Sequence, residues 1–273
     1  RKKKKALQKM TKEQIKEDVT DGIGDQPAYL TENARINREG YQNIDEILKR
    51  NLNPLSLEQF EAVINEGALV LDTRNENLFE IASLRYSLNI PLNGQYAVWV
   101  GSLIPIDKQI VLITEPGKEH ESVLRLARVG FENVAGYLEG GVETWQKSGK
   151  AVQKVSSIEP EEMMSYIHQG YELLDVRRST EAETEHVSGA INISLVELEN
   201  RINELDKNEK YVIHCAGGYR SMIASSILIN RGFKNILNIH GGFGKIKQVE
   251  GVELIAGKCP TTLRNEKLES LKF

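Results

Sequence analysis

The amino-acid sequence repeats itself at a spacing of about 102 residues. Residues 71–74 (Leu-Asp-Thr-Arg) recur as 174–177 (Leu-Asp-Val-Arg), and the Asn-Ile pair at 89–90 recurs at 192–193. Two glycine-containing landmarks further along the chain, Arg-Gly-Phe-like and Gly-Gly, keep nearly the same spacing. A spacing that holds over four landmarks predicts two tandem copies of one domain of about 100 residues.

Each copy alternates apolar β-type runs with amphipathic helical stretches, which is typical of an α/β domain. We therefore predict two tandem domains, each with a central, mostly parallel sheet flanked by helices. A chain of 273 residues accommodates both copies and leaves two extra segments. The predicted units are an N-terminal extension (1–52), a first domain (53–152), a second domain (153–256) and a C-terminal tail (257–273).

Composition excludes several functional classes. The net charge is −4, with 35 Lys and Arg against 39 Asp and Glu, so the chain lacks the basic surplus of a nucleic-acid-binding protein. The basic run at residues 1–5 is most simply a solvated end. No apolar run approaches the roughly 20 residues that span a bilayer. We expect a cytoplasmic protein without nucleic-acid or membrane partners, and its two cysteines, Cys215 and Cys259, fit a reducing compartment.

The segment most suited to chemistry is Cys215-Ala216-Gly217-Gly218-Tyr219-Arg220-Ser221, between a predicted strand and a predicted helix over 221–230. The carboxyl ends of strands in open α/β sheets are where ligands bind. Gly217 and Gly218 permit positive φ angles, which turn backbone N–H groups inward as a nest for an anion. The helix beginning near Ser221 directs its positive end at the same place.

Simple magnitudes rank the contributions to this anion cradle. A helix end stabilises a nearby anion by about 0.3–1 kcal/mol, whereas a guanidinium about 4 Å away contributes about 4 kcal/mol at an effective dielectric near 20. We therefore expect Arg220 and the nest to dominate, and Cys215 to act as a nucleophilic thiolate. The alternative is that Cys215 is a small buried apolar residue. Cys259 has no comparable setting and is interpreted as a bystander.

At these residues the second copy resembles the rhodanese family of sulfurtransferases. The resemblance spans about 155–255 and rests on Asp175-Val176-Arg177 with Glu181, on the segment from His186 to Ile193, on the Cys215–Arg220 loop, and on His240-Gly241-Gly242-Phe243. It implies that Cys215 carries a sulfane sulfur as a persulfide, with Arg220 as the second catalytic residue. The surrounding anion cradle would consist of Ala216, Gly217, Gly218, Tyr219 and Ser221. Asp175, Arg177 and His186 would support the site without taking part in the chemistry. Glu185 and Ser188 replace a glycine and a proline that are common in the family.

The resemblance implies sulfur transfer from thiosulfate, a persulfide or a polysulfide to a thiol or cyanide, without a cofactor. The five histidines show no metal-ligand spacing, so we also expect no catalytic metal in this chain. Two other functions stay open at this point. Cysteine-dependent phosphatases and arsenate reductases also use a cysteine, a backbone nest and an arginine, but their loop is longer than the four residues between Cys215 and Arg220. Tandem domains of this kind also serve as non-catalytic scaffolds.

The first copy has no cysteine in the corresponding loop, which reads Ile-Thr-Glu-Pro-Gly-Lys-Glu-His over 113–120. Pro116 lacks an N–H for the nest, and Glu115 and Glu119 place negative charge where an anion would bind. We expect an inactive domain that packs, contacts a partner or shapes the active site of the second. The whole arrangement also resembles the C-terminal part of fusions in which a metallo-β-lactamase-fold persulfide dioxygenase precedes two rhodanese-like domains; residues 27–40 are similar to the segment that follows the metal domain there.

Overall fold

A computed structural model describes residues 11–12, 38 and 43–257 of the chain. Two five-stranded sheets lie in these residues, one in each sequence copy. Every strand pair within the two sheets is parallel. The predicted α/β class and the two tandem domains with parallel sheets are thereby confirmed. Cys259 and residues 27–37 lie outside the described residues, so the expectations for them stay predictions.

The first sheet has the strand order β1-β5-β4-β2-β3. Its strands are β1 (Pro54–Leu55), β2 (Leu69–Asp72), β3 (Leu88–Asn89), β4 (Ile110–Ile113) and β5 (Val134–Leu138). The helices of this part are α1 (Ile44–Asn51), α2 (Leu57–Asn65), α3 (Glu76–Ile81), α4 (Tyr96–Leu103), α5 (Glu119–Ala127) and α6 (Gly141–Lys147). The central strand β4 is buried along its whole length because helices cover both faces of a parallel sheet.

The second sheet repeats this order as β6-β11-β10-β7-β9. Its strands are β6 (Ser157–Ile158), β7 (Tyr171–Asp175), β9 (Ile191–Asn192), β10 (Lys210–His214) and β11 (Asn235–Ile239), while β8 (Glu185–Val187) pairs antiparallel with β12 (Leu254–Ala256). The helices are α7 (Met163–His168), α8 (Ser179–Thr184), α9 (Leu198–Arg201), α10 (Tyr219–Asn230) and α11 (Gly242–Ile246), with 3₁₀ turns at Pro160–Glu162 and Ile202–Glu204. Helix α10 thus begins two residues earlier than the predicted 221.

In each domain, a buried ion pair lies at the carboxyl end of the corresponding strand, β2 in the first domain and β7 in the second. Arg74 Nη2 lies 2.6 Å from Asp72 Oδ2, and Arg177 Nη2 lies 2.6 Å from Asp175 Oδ2. Each carboxylate also accepts the backbone N–H of its arginine. All four side chains are at most 5% exposed, so the pairs are almost fully dehydrated. The recurring Asp-x-Arg motif therefore forms the same buried ion pair in both domains.

The two domains share an interface built around α10. Its segment Ser221–Leu228 is buried at every position. From the first domain, the Asn89 backbone N–H donates to Ser226 Oγ at 3.3 Å, and the Ser87 carbonyl accepts from Asn230 Nδ2 at 3.0 Å. One apolar cluster continues through both domains. The two domains are therefore in direct contact, and α10 belongs to the core of both units.

No helix within residues 43–257 combines the length and apolarity needed to cross a bilayer.

Replacing Asp72 by asparagine tests the buried Asp72–Arg74 ion pair of the first domain. The Asp72→Asn variant leaves the buried Arg74 guanidinium without its counter-charge, and we expect a loss of about 3–5 kcal/mol in the free energy of unfolding. Urea denaturation followed by circular dichroism measures it. Asp107→Asn, an exposed position of the same domain, is the matched control and should change stability by less than about 0.5 kcal/mol. A loss below about 1 kcal/mol in Asp72→Asn would contradict the structural role.

Candidate active site

Cys215 is the first residue after β10 and lies at the carboxyl edge of the second sheet. Its side chain is 1% exposed, and the Gly218 backbone N–H donates to Sγ over 3.2 Å. Gly218 has a φ of 107° and is the residue preceding α10. A backbone donor and the start of a helix therefore converge on the sulfur, as a site that stabilises negative charge there requires.

The two glycines of the loop behave differently. Gly218 adopts the predicted positive φ, whereas Gly217 is not among the glycines with positive φ. The expectation of a left-handed conformation at Gly217 is therefore wrong. One left-handed residue suffices because the short loop enters the helix immediately after Gly218.

Gly242 lies against the backbone of the Cys215 loop, and the two residues that follow it hydrogen-bond to that loop. Phe243 N donates to the Cys215 carbonyl at 2.6 Å, and Gly244 N donates to the Ala216 carbonyl at 3.0 Å. Gly242 itself has a φ of 53°, and a Cβ atom there would lie 2.4 Å from the Cys215 oxygen. Only glycine provides both the backbone conformation and this close approach.

Arg220 does not stand as an isolated cation. Its Nη1 and Nη2 atoms donate to Oε2 and Oε1 of Glu181 at 2.6 and 2.9 Å, a bidentate pair. This hydrogen bonding holds the pKa of Glu181 below its usual value. Burial acts to lower the pKa of Arg220, but the Glu181 bond and the charge at Cys215 raise it overall. The expected dominance of the Arg220 charge is thus offset by Glu181, which the sequence motif contains but to which we assigned no role.

Most of the other predicted loop residues line the cavity, and one of them supports the loop. Ala216, Gly217, Tyr219 and Arg220 line a cavity with Cys215. Ser221 is fully buried, and its hydroxyl donates to the Gly218 carbonyl, so it fastens the loop instead of facing the cavity.

The three residues predicted to support the site, Asp175, Arg177 and His186, contact parts of the second domain that hold the Cys215 loop or carry Glu181. Arg177, held by Asp175, places its guanidinium 3.9 Å from the ring centre of Phe243, the residue that binds the Cys215 carbonyl. His186 lies on β8, where its Nδ1 is 2.8 Å from the Ala182 carbonyl of α8, the helix that carries Glu181. Both arrangements agree with a positioning role.

The first domain forms one wall of the cavity, which has a volume of about 530 Å³. Its contribution consists of Glu76, Asn93, Gly94, Gln95 and Trp99. Tyr219 joins the two walls, because its hydroxyl donates to the Pro91 carbonyl at 2.7 Å and its ring lies directly over Gly94. Burial raises the pKa of Tyr219, so its hydroxyl stays protonated as a donor. These five residues lie more than 110 positions from Cys215, and no local sequence pattern identifies them.

In the corresponding loop of the first domain, groups that could bind an anion are paired with carboxylates of the chain itself. Thr114 stands where Cys215 stands, directly after the central strand. The backbone N–H of Gly117 donates to Glu119 Oε1 at 3.2 Å, so a carboxylate of the chain takes a loop donor. Lys118 Nζ lies 2.9 Å from Glu121 Oε2 and is paired. This geometry supports the predicted loss of activity in the first copy.

The sequence model of the rhodanese-like domain family matches residues 56–148 and 159–248, one match in each sheet-containing part of the chain. The chain belongs to the rhodanese-like family. The two matched segments lie inside the predicted units 53–152 and 153–256, whose outer limits stay a prediction.

Three similar proteins each match a stretch of this chain no longer than about one domain. A putative sulfur carrier protein, YrkF, of Bacillus subtilis is 40% identical over 70 residues, which is 26% of this chain and 38% of that protein. The thiosulfate sulfurtransferase GlpE of Coxiella burnetii is 30% identical over 71 residues, 26% of this chain and 66% of that protein. The crystal structure of a rhodanese-related protein from Thermoplasma volcanium is 31% identical, with a TM-score of 0.34, over 37% of this chain and 97% of that one. The chain thus spans less than two thirds of YrkF and GlpE.

Among residues 43–257, no group of three or more His, Cys, Asp or Glu side chains is arranged to hold a metal ion.

A pair of glycine substitutions tests the support beneath the loop. In Gly242→Ala the new methyl group meets the Cys215 oxygen, so the loop must move and the Gly218 donor leaves the sulfur. We expect a loss of about 1–3 kcal/mol in stability and a roughly tenfold slower alkylation of Cys215 by iodoacetamide at pH 7. In Gly244→Ala the nearest atom is 3.4 Å away, and both properties should stay close to those of the parent. Equal behaviour of the two variants would contradict this role of Gly242.

The Glu181–Arg220 pair predicts a pH-dependent stability. Because the pKa of Glu181 is lowered in the folded protein, its contribution is present above the pKa of an unfolded glutamate and is lost as the pH falls through the lowered folded value. Glu181 is 36% exposed, so solvent screening limits the destabilisation in Glu181→Gln to about 1 kcal/mol at pH 7. Urea unfolding at pH 7 and near pH 3 measures the difference, which should shrink at the lower pH. Glu183→Gln, on the exposed side of the same helix, is the control; an equal loss there would refute the assignment.

Proposed function

We propose that this protein is a sulfurtransferase that moves a sulfane sulfur through a persulfide on Cys215. The observation that carries the proposal is the position of Sγ: it accepts the Gly218 N–H and opens into a cavity with Arg220. Membership of the rhodanese-like family and the similarity to a thiosulfate sulfurtransferase support it. No cofactor is needed, because the chemistry consists of two displacements at sulfur.

In the first displacement, the Cys215 thiolate attacks the outer sulfur of the donor. With thiosulfate, the new bond joins Sγ to the outer sulfur, the sulfur–sulfur bond of the donor breaks, and sulfite departs with the electron pair. With a persulfide or polysulfide, a thiol or a shorter polysulfide departs instead. The Gly218 N–H and the start of α10 then face the negative charge of the Cys215 persulfide, which these donors stabilise.

In the second displacement, the sulfur of an acceptor thiol, or cyanide, attacks the outer sulfur of the Cys215 persulfide. The bond between the two sulfurs on Cys215 breaks, and the thiolate of Cys215 is restored with its electron pair. The products are a new persulfide or thiocyanate. Both steps use the same cradle, so the site needs room for only one small molecule at a time.

The first domain takes part as a wall of the cavity and as half of the shared core. Its residues Asn93, Gly94 and Trp99 line the space above Cys215.

We further propose that the parent protein carries an upstream metallo-β-lactamase-fold persulfide dioxygenase domain, which would be the partner of these two domains. A complete reading frame without an upstream metal-binding domain would contradict that second proposal.

Loading Cys215 directly tests the proposed activity. Incubation with thiosulfate or glutathione persulfide should add one sulfur atom to the protein, seen as a mass increase of about 32 Da by intact mass spectrometry, and a thiol should remove it. Cys215→Ser should abolish the adduct, whereas Cys259→Ser should retain it. Absence of a Cys215 adduct with every donor would reject sulfur transfer and favour a scaffold, and release of phosphate from phosphate esters without sulfur transfer would favour a phosphatase.

A further inference from the structure

Four charged side chains line the cavity above Cys215: Glu76, Arg178, Glu181 and Arg220. The last two neutralise one another through their bidentate pair. The charges that remain are one carboxylate, Glu76, from the first domain and one guanidinium, Arg178, from the second. The fixed charges of the cavity therefore sum to zero, and Glu76 is the group that prevents a positive total.

Glu76 is held in place by the docking of its helix. It is the first residue of α3, and the same helix carries Phe79, which is fully buried and packs with Met222 of α10. One turn further along α3, the Glu80 carboxylate lies 3.1 Å from Nε2 of His240 in the second domain. The helix is thus fixed to the domain that holds the cysteine.

One hydrogen bond holds the carboxylate itself. Asn93, another cavity residue, donates from Nδ2 to Glu76 Oε2 at 3.2 Å. In addition to the larger effect of burial, the charge of Glu76 raises the pKa of Tyr219, the loop residue that joins the two walls. The charge of Glu76 therefore lies near Tyr219, a residue of the Cys215 loop.

A fixed carboxylate beside an anionic sulfur affects reactants according to their charge. The Cys215 thiolate and its persulfide are already negative, so each additional negative charge brought by a reactant is repelled by Glu76 as well. An uncharged or cationic reactant avoids that repulsion. The domain without a cysteine thereby contributes to selection at the cysteine of the other.

We propose that Glu76 is a specificity-determining residue that makes the site favour uncharged or cationic acceptor thiols over anionic ones. The statement about acceptors rests on the proposed sulfur transfer, whereas the charge selection at Cys215 does not. The experiment therefore has two arms, and the first needs no enzymatic activity.

The first arm measures how fast Cys215 reacts with thiol reagents of opposite charge. In a Cys259→Ser background Cys215 is the single cysteine, and its modification by sulfonatoethyl (negative) and trimethylammonioethyl (positive) methanethiosulfonate is followed by mass spectrometry. Glu76→Gln should raise the ratio of the rate constant for the negative reagent to that for the positive reagent about tenfold. This corresponds to about threefold per unit of reagent charge, for charges roughly 10 Å apart in a partly hydrated cavity. Glu76→Lys should raise it further, and 0.5 M salt should reduce the effect.

Glu66→Gln provides the matched control. It removes the same charge from an exposed position at the end of α2, outside the cavity, and should leave the ratio within twofold of the parent. An unchanged ratio in Glu76→Gln, or an equal change in Glu66→Gln, would overturn the proposal.

The second arm uses the Cys215 persulfide and three acceptors: cysteamine, 2-mercaptoethanol and mercaptosuccinate. For each acceptor, the rate constant of persulfide discharge in Glu76→Gln is divided by that of the parent, which cancels intrinsic nucleophilicity. The quotient should rise from the cationic to the dianionic thiol. A flat quotient would overturn acceptor selection by Glu76. If the first arm shows charge selection but no persulfide forms on Cys215, the proposed sulfur transfer fails while the electrostatic role of Glu76 stands.

Discussion

The buried pairing of an aspartate with the arginine two residues later is the interaction on which each domain depends. A carboxylate and a guanidinium withdrawn from water are tolerated only when each satisfies the other, and the bidentate geometry of Asp175 and Arg177 achieves this. The arginine uses its remaining capacity on the Glu185 carbonyl and on the ring of Phe243. Through Phe243, whose backbone holds the Cys215 carbonyl, the pair determines where the reactive loop lies.

Comparison of the two copies separates what the frame requires from what chemistry requires. Asp72 and Arg74 repeat the pair, and in each domain an asparagine, Asn89 or Asn192, donates to the backbone carbonyls of the paired aspartate and arginine. The loops after the central strands have diverged instead. Gly218 offers its N–H to a sulfur, whereas the N–H of Gly117 is occupied by a carboxylate of its own loop. The buried ion pair and its asparagine are therefore common to both domains, whereas the loop after the central strand differs.

The sequence predicted the features that arise within one repeat. The spacing predicted two domains, and the Cys215–Arg220 loop with its glycines indicated the site. It did not show that Glu181 would neutralise Arg220, because motif spacing does not say which charges meet. It also did not show which residues of the first domain, such as Glu76 and Trp99, would face Cys215. That contact depends on how two folded units pack, and it joins residues more than 110 positions apart in the chain.

Helix α10 makes the second domain depend on the first for part of its packing. Its first eleven positions include an unbroken buried segment, Ser221–Leu228, that the first domain helps to cover. Loss of the first copy would uncover apolar surface on the helix that begins at the reactive loop. Buried residues of the first domain such as Phe79 therefore support the helix that carries the Cys215 loop, although the first domain itself contains no cysteine. Truncation to the second domain alone would therefore remove part of the packing around its own reactive-loop helix.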